Sequence, residues 1–386
     1  MIARALTDNF LRSLDGIQKG SLRLTMPNGQ IYNFQGMQDG PKADLVLHDA
    51  MVIPNMIMKG NVAFANDYRH GRWHTNDLTN LLSLAIENVQ ALQSYISGHT
   101  LTRMHDWLGY LLRHNSLQGS RKNIHDHYDL GNDFYTLWLD DTMTYSSALY
   151  SEGDESLEQA QIQKYDRLID GLNGSSGSLL EIGCGWGGFT ERALQRGDYK
   201  IKGLTLSQEQ YDFCQKKLDG RANIVLEDYR EQNTQFDNIV SIEMFEAVGE
   251  KYWNTYFDTI ATCLKKDGKA MIQTITIEDG MYRDYKKGTD YIRSYIFPGG
   301  MLPSMAKFKS RAEKAGLKIE DLFYFGQDYA RTLQEWLTRF DAQESAIRAL
   351  GFDDQFIRIW RFYLAGCIAG FKSEQLNVAQ IKLAHA

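Results

Sequence analysis

The chain has 386 residues, 43% of them hydrophobic, enough for two domains, one of them large, with a substantial core. A net charge of -7 without a long basic run argues against nucleic acid as the main partner, and no run of about 18 uncharged apolar residues marks a spanning helix. Residues 1–14 carry Arg4, Asp8 and Arg12 in place of an apolar signal core, and Cys184, Cys214, Cys263 and Cys367 lie too far apart for a zinc or disulfide frame, so free thiols in a reducing cytoplasm are expected.

Residues 21–34 alternate about Pro27-Asn28-Gly29, with Leu22 and Leu24 before the turn and Ile31 and Phe34 after it, which predicts a hairpin. Leu45-Val46-Leu47 reads as another strand. Apolar residues recur from Val52 to Phe64, and their methionines, Met56 and Met58 among them, suit either a core or a lipid groove. Asp77 is a candidate N-cap for a helix through Leu81, Leu82, Ala85, Ile86, Val89 and Leu92. The pattern predicts a small α+β domain over 1–114, a polar linker over 115–123 containing Gly119 and Ser120, and a second domain over 124–386.

In the second domain two apolar helical patterns, the latter over 157–172, precede a short Gly/Ser loop at 174–178. The loop enters a strand ending in Leu179-Leu180-Glu181-Ile182-Gly183-Cys184-Gly185-Trp186-Gly187-Gly188. An apolar run that ends in an acid and breaks into alternating glycines makes a nucleotide-binding elbow, with the free N–H groups of the helix from Phe189 aimed at the same spot. The glycine spacing alone also serves dinucleotides. Glu181 decides between ligands: a carboxylate there repels phosphate but accepts hydrogen bonds from a cationic amino-acid headgroup, which S-adenosylmethionine has and NAD lacks.

Strands at 201–206, 224–226, 238–242 and 270–277 then alternate with helices through Tyr211 and Leu218 and over 252–264, which predicts an α/β domain with a parallel sheet and ligands at the strands' carboxyl ends. At those ends Thr205, Leu206 and Gln210 offer hydroxyl, backbone and amide groups for ribose, the alternative being a plain helix cap at Ser207. Asp228 and Tyr229 could accept the adenine amine and frame the base, or form an ordinary turn. Glu243 and Glu246 would share a face if their turn is helical, one of them taking protons under the other's influence; a solvated helix start is the alternative. The aromatic-rich segment 280–310 reads as an insertion covering the site. Tyr145, Tyr282, Tyr285, Tyr291, Tyr295, Phe297, Tyr324, Phe325 and Tyr329 could wall a cation, although core packing explains many such rings equally well. Helical spacing resumes over 332–371.

Further runs are specific: His127-Tyr128-Asp129-Leu130, Thr144-Tyr145-Ser146-Ser147, Met244-Phe245-Glu246, Tyr295-Ile296-Phe297-Pro298-Gly299-Gly300 with Leu302-Pro303-Ser304, and Asp328-Tyr329. With the glycine elbow and 203–207 they give the chain, from Asn123 to Lys382, a resemblance to the cyclopropane fatty acyl phospholipid synthases and their mycolic acid methyltransferase relatives. The resemblance implies a Rossmann-like S-adenosylmethionine-dependent methyltransferase fold with a mostly parallel seven-stranded sheet, preceded by a small α+β lipid-binding domain. It implies methyl transfer to the double bond of unsaturated phospholipid acyl chains through a carbocation, giving a cyclopropane or a methyl or methylene branch. It further implies a peripheral homodimer on the inner face of the membrane and no metal. Tyr145 and Ser146 join Glu181, Gly183, Gly185, Thr205, Leu206, Gln210, Asp228 and Tyr229 around the cofactor, and Tyr295 and Phe297 are expected at the acyl chain.

In that family a bound bicarbonate serves as base, held by a cysteine-bearing loop, a glutamate, a histidine, a backbone position and a tyrosine. The matching positions here are Ser147, Glu246, Gln273, Ile275 and Tyr329, so serine and glutamine depart from the usual cysteine and histidine. Serine keeps its backbone N–H and glutamine keeps a donor, so the ion could stay, but Gln273 cannot titrate. Glu243 stands where many ring-forming members have glycine, which makes it a candidate base. The pattern Glu-Met-Phe-Glu also resembles plant alkaloid N-methyltransferases, leaving a small-molecule N-methyltransferase and a non-catalytic lipid-binding protein as competing readings.

Overall fold

The computed structural model describes residues 2–92, 130–288 and 290–386, so the linker expected at 115–123 and residues 127–129 of the His-Tyr-Asp-Leu run lie outside the described residues. The chain forms two compact units. One gathers Met1–Leu112, Arg283–Pro298 and Glu344–Gln375, and the other Arg113–Tyr282, Gly299–Gln343 and Leu376–Ala386.

In the first unit α1 (Ile2–Leu14) precedes β1 (Lys19–Thr25), β2 (Ile31–Gln35), β3 (Gln38–Leu47), α2 (Val52–Arg69), β4 (Trp73–His74) and α3 (Leu78–Glu87). The predicted hairpin forms: β1 and β2 are antiparallel with Leu22 opposite Phe34, and Gly29 takes the turn's positive φ of 84°. Sheet order is β2-β1-β3-β4, with β1 and β3 parallel. β3 begins well before Leu45, since a register shift between Lys19 and Ser21 absorbs Gly40-Pro41, which hide the alternation. Asp77 caps α3, accepting from Asn80 N at 2.8 Å. Met56 is buried, whereas Met58 is exposed. The later helix Asp354–Lys372 sets Phe362 against Phe64, Tyr68 and Trp73.

The second unit runs α4 (Asn132–Thr136), α5 (Leu157–Asp170), β5 (Ser176–Ile182), α6 (Gly188–Arg196), β6 (Asp198–Thr205), α7 (Gln208–Leu218), β7 (Asn223–Leu226), β8 (Phe236–Ile242), α8 (Phe245–Val248), α9 (Trp253–Cys263), β9 (Leu264–Ile277), α10 (Met305–Lys314), β10 (Leu317–Tyr324), α11 (Gly326–Ala342) and β11 (Leu376–His385). Among the described residues seven strands join in the order β10-β11-β9-β8-β5-β6-β7. The five strands from β9 to β7 are mutually parallel; β11 is antiparallel to both β9 and β10. This is the mostly parallel seven-stranded α/β sheet that the strand pattern and the resemblance lead one to expect. From β5 the chain fills one side with β6 and β7, then returns to lay β8 and β9 on the other, so a crevice opens at the carboxyl end of β5. Leu179, Val240 and Met271 pack beneath it against Leu168 of α5 and Phe189 of α6.

Candidate active site

The end of β5 opens into a cavity lined by all ten residues expected around the cofactor: Tyr145, Ser146, Glu181, Gly183, Gly185, Thr205, Leu206, Gln210, Asp228 and Tyr229. Gly183 has φ 83°, a conformation that calls for glycine, and a Cβ there would lie 3.0 Å from Met244 Cγ, so that side chain would also have to give way. Its N–H and that of Cys184 share the Leu204 carbonyl, at 3.1 and 2.9 Å, which pins the elbow to β6.

Glu181 is only 2% exposed and accepts from Thr190 Oγ1. Burial pushes its carboxyl up to about 8, against that hydrogen bond and the charge of Lys164. At β6, Ser207 caps α7 by accepting from Gln210 N at 3.3 Å, so the cap reading holds for that residue. Thr205 Oγ1 donates to Gln210 Oε1 at 2.8 Å, joining two candidate ribose groups. Asp228 is bound by Arg230, whose Nε and Nη2 donate at 2.8 and 2.6 Å. Tyr229 meets Tyr256 edge-on at 5.6 Å.

Glu243 and Glu246 do not share a helix. Glu243 ends the β8 turn with φ 49°, a left-handed backbone that a side chain rarely adopts, and α8 begins only at Phe245. Its enclosed carboxylate accepts three hydrogen bonds: from Ser147 N at 2.8 Å and Gln273 Nε2 at 2.7 Å on one oxygen, and from the Tyr329 hydroxyl at 2.6 Å on the other. The Ser147 hydroxyl turns away and donates to Ala148 O. Burial raises Glu243 above the usual carboxylate range, and these three donors and the charge of Lys164 oppose it.

Glu246 binds differently. Its Oε1 accepts from Thr274 Oγ1 at 2.9 Å and from Ile275 N, while Oε2 is buried with no hydrogen-bond partner among the described residues. Burial and then the charge of Glu243 push it up to about 8, which favours its protonated form. The Ser147, Gln273 and Tyr329 donors expected to hold bicarbonate are thus occupied by Glu243, and the Ile275 N–H by Glu246. The residues present do not fit that ion.

One residue that sequence reasoning missed is Lys164. It is fully buried on α5, its Nζ donates to Ser146 Oγ at 2.7 Å and lies 4.3 Å from the Tyr165 ring centre. Burial lowers it to about 7, against the charges of Glu243, Asp140 and Glu181. The signal was available: Leu157, Ala160, Lys164 and Leu168 fall on one helical face, which places a lysine among core positions.

Of the nine aromatics singled out, Tyr145 lines the cavity, between Trp336 and Tyr135 at 5.3 and 5.6 Å, and Tyr329 bonds Glu243. Tyr295 and Phe297 belong to the other unit, where Tyr295 meets Asn66 and Arg69 and Phe297 meets Tyr363. Tyr285 and Tyr291 lie there too.

Residues 115–381 match the family described as mycolic acid cyclopropane synthetase. The chain belongs to that family. It is 35% identical over 378 residues to the tuberculostearic acid methyltransferase of Mycobacterium tuberculosis, covering 93% of this chain and 86% of the relative. It is 31% identical to the cyclopropane-fatty-acyl-phospholipid synthase of Escherichia coli, covering 88% of this chain and 87% of that one. The solved cyclopropane synthase MmaA2 of M. tuberculosis superposes with a TM-score of 0.65 at 31% identity, over 68% of this chain and 98% of its own. Coclaurine N-methyltransferase, at 17% identity and a TM-score of 0.65, shares the fold. As a family member the chain is an S-adenosylmethionine-dependent methyltransferase of the cyclopropane-fatty-acyl-phospholipid synthase type, with S-adenosylmethionine as methyl donor.

Proposed function

We propose that this protein methylates the double bond of unsaturated acyl chains in membrane phospholipid, and that Glu243 takes up the proton lost from the resulting cation. The observation that carries this reading is the seat of Glu243: a carboxylate held by Ser147 N–H, Gln273 and Tyr329 at 2.6–2.8 Å on a left-handed backbone. Bound S-adenosylmethionine supplies an electrophilic methyl group. Glu181 receives its amino group, Thr205 and Gln210 face its ribose, Tyr229 flanks its base, and Tyr145 screens the developing cation from water. The lipid π-bond would form the new carbon–carbon bond as the methyl's bond to sulfur breaks, the electron pair staying on sulfur so that S-adenosylhomocysteine leaves and the other alkene carbon becomes a carbocation. If Glu243 takes a proton from the transferred methyl, a ring closes; if it takes one from the chain, a branched alkene remains. Tyr295 and Phe297 would contact the acyl chain. The first unit would serve as the lipid-binding domain of a homodimer peripheral to the cytoplasmic face of the membrane; among the described residues no helix is long and apolar enough to cross it.

The test incubates labelled S-adenosylmethionine with unsaturated phospholipid vesicles, in buffer stripped of bicarbonate, and follows label into the acyl chains. Resonance of the released chains separates ring from branch. Label should enter without added bicarbonate, and Glu243→Gln should lower the rate by about 10²–10⁴-fold, the usual worth of a general base. Glu243→Gly leaves three donors around a vacated seat, so added bicarbonate should restore part of its activity. Full activity of Glu243→Gln would end the base assignment, and label in an amine panel with none in lipid would end the lipid reading.

A further inference from the structure

Two fully buried glutamines stand side by side across the antiparallel pairing of β9 and β11, Gln273 opposite Gln380. An isolated buried amide can be turned either way, because its oxygen and nitrogen are nearly alike in size. Here groups outside the pair remove the choice. Arg167 Nη1, on α5, lies 3.2 Å from Gln380 Oε1, and a guanidinium only donates. The oxygen of Gln380 must therefore face Arg167.

Its nitrogen then faces inward and donates to Gln273 Oε1 at 3.0 Å and to the Lys164 carbonyl at 3.2 Å. That leaves the nitrogen of Gln273 pointing at Glu243 Oε1, 2.7 Å away, and at the Ser147 carbonyl, 3.4 Å away. Both amides have every polar atom engaged in this sense. Reversing Gln273 would press its oxygen against a carboxylate and a carbonyl, and its nitrogen against the nitrogen of Gln380. Arg167 is itself fixed by Asp321 on β10, at 2.9 Å, and by the ring of Phe323, at 4.2 Å, so the ordering begins at the far edge of the sheet.

We propose that Gln380, oriented by Arg167, is a positioning residue that locks the Gln273 amide with its nitrogen toward Glu243 and so keeps that carboxylate a proton acceptor. The inference rests on the reading of Glu243 as the base. Gln380 touches no reacting atom; it acts through Gln273, giving a residue that cannot titrate a fixed electrostatic sign.

The experiment measures kcat against pH for the full-length enzyme and for Gln380→Leu, Arg167→Met, Gln273→Leu, Gln273→Leu with Gln380→Leu, and Glu243→Gln. Binding of S-adenosylmethionine is followed by calorimetry. Without Gln380 the Gln273 oxygen loses its donor and the amide keeps only Glu243 and the Ser147 carbonyl, so its hold on Glu243 loosens. In Gln380→Leu the acid limb of kcat should rise by about one pH unit and kcat at neutral pH should fall about tenfold. Affinity for S-adenosylmethionine should stay within about twofold, since the amides do not line its cavity. Arg167→Met leaves the buried pair in place and should shift the limb the same way by less, which keeps the inference testable if Gln380→Leu fails to fold. With Gln273→Leu already present, Gln380→Leu should add nothing. An unmoved acid limb in Gln380→Leu and Arg167→Met, or losses that add to those of Gln273→Leu, would overturn the inference while an inactive Glu243→Gln leaves the base assignment standing. An active Glu243→Gln would overturn both.

Discussion

Glu243 keeps a left-handed backbone where a glycine would sit without strain, at a cost on the order of 1 kcal/mol or more. Strain of that size persists when the surroundings hold it, and here three donors do. Glu181 shows the complementary arrangement: a buried acid with few partners, pushed up to about 8 and so protonated in the free enzyme at neutral pH. A cationic donor docking on it favours the ionised form, so binding must expel a proton. We therefore expect calorimetry in buffers of differing ionisation heat to show proton release on S-adenosylmethionine binding at pH 7, fading as pH passes 8, and absent in Glu181→Gln. Equal heats across buffers would show that Glu181 does not receive the donor's amine.

Among elements, those with strong local signals were legible in the sequence: the hairpin around Pro27-Asn28-Gly29, the Asp77 cap, the glycine elbow and the parallel strands after it. β10 and β11 were not singled out. β10 alternates poorly because the solvated edge leaves most of Leu317–Tyr324 exposed, and in β11 Asn377, the buried Gln380 and Lys382 break up the apolar residues. The site was legible as a list of residues, and all ten cofactor positions meet in one cavity. What could not be read was pairing: that Glu243 lies outside the helix, and which donors face which acid, are settled by backbone torsion and by strands distant in sequence. α5 ties these parts together, as it carries both Lys164 and Arg167. It starts with a capping box in which Ser156 and Gln159 bond each other's backbone. Ser156→Ala should cost about 1 kcal/mol of stability, read as a lower denaturant midpoint, with methyl transfer unchanged.

For the whole molecule, buried ionisable groups make stability depend on pH in a definite sense. Glu181 and Glu246 hold their protons to about 8, against 4.5 when unfolded, so the folded state binds more protons between those values and stability falls as pH rises. Lys164, lowered to about 7 from 10.5, does the reverse: above pH 7 the unfolded state binds more protons and stability recovers. Calorimetric melting of the free enzyme should therefore decline from pH 5 to 7 and level off above, with a flatter decline in Glu181→Gln. A melting temperature that climbs from pH 5 to 7 would contradict the burial of these acids. The sheet order has a different outcome. β11 lies between β9 and β10 although it follows both in the chain, so a ribosome releases those two before their common neighbour exists. Meanwhile each keeps an open edge able to join other chains, a hazard that chaperones commonly manage. A nascent polypeptide halted before residue 376 would already hold the elbow and Glu243, yet lack the ribbon that turns Gln273 toward it.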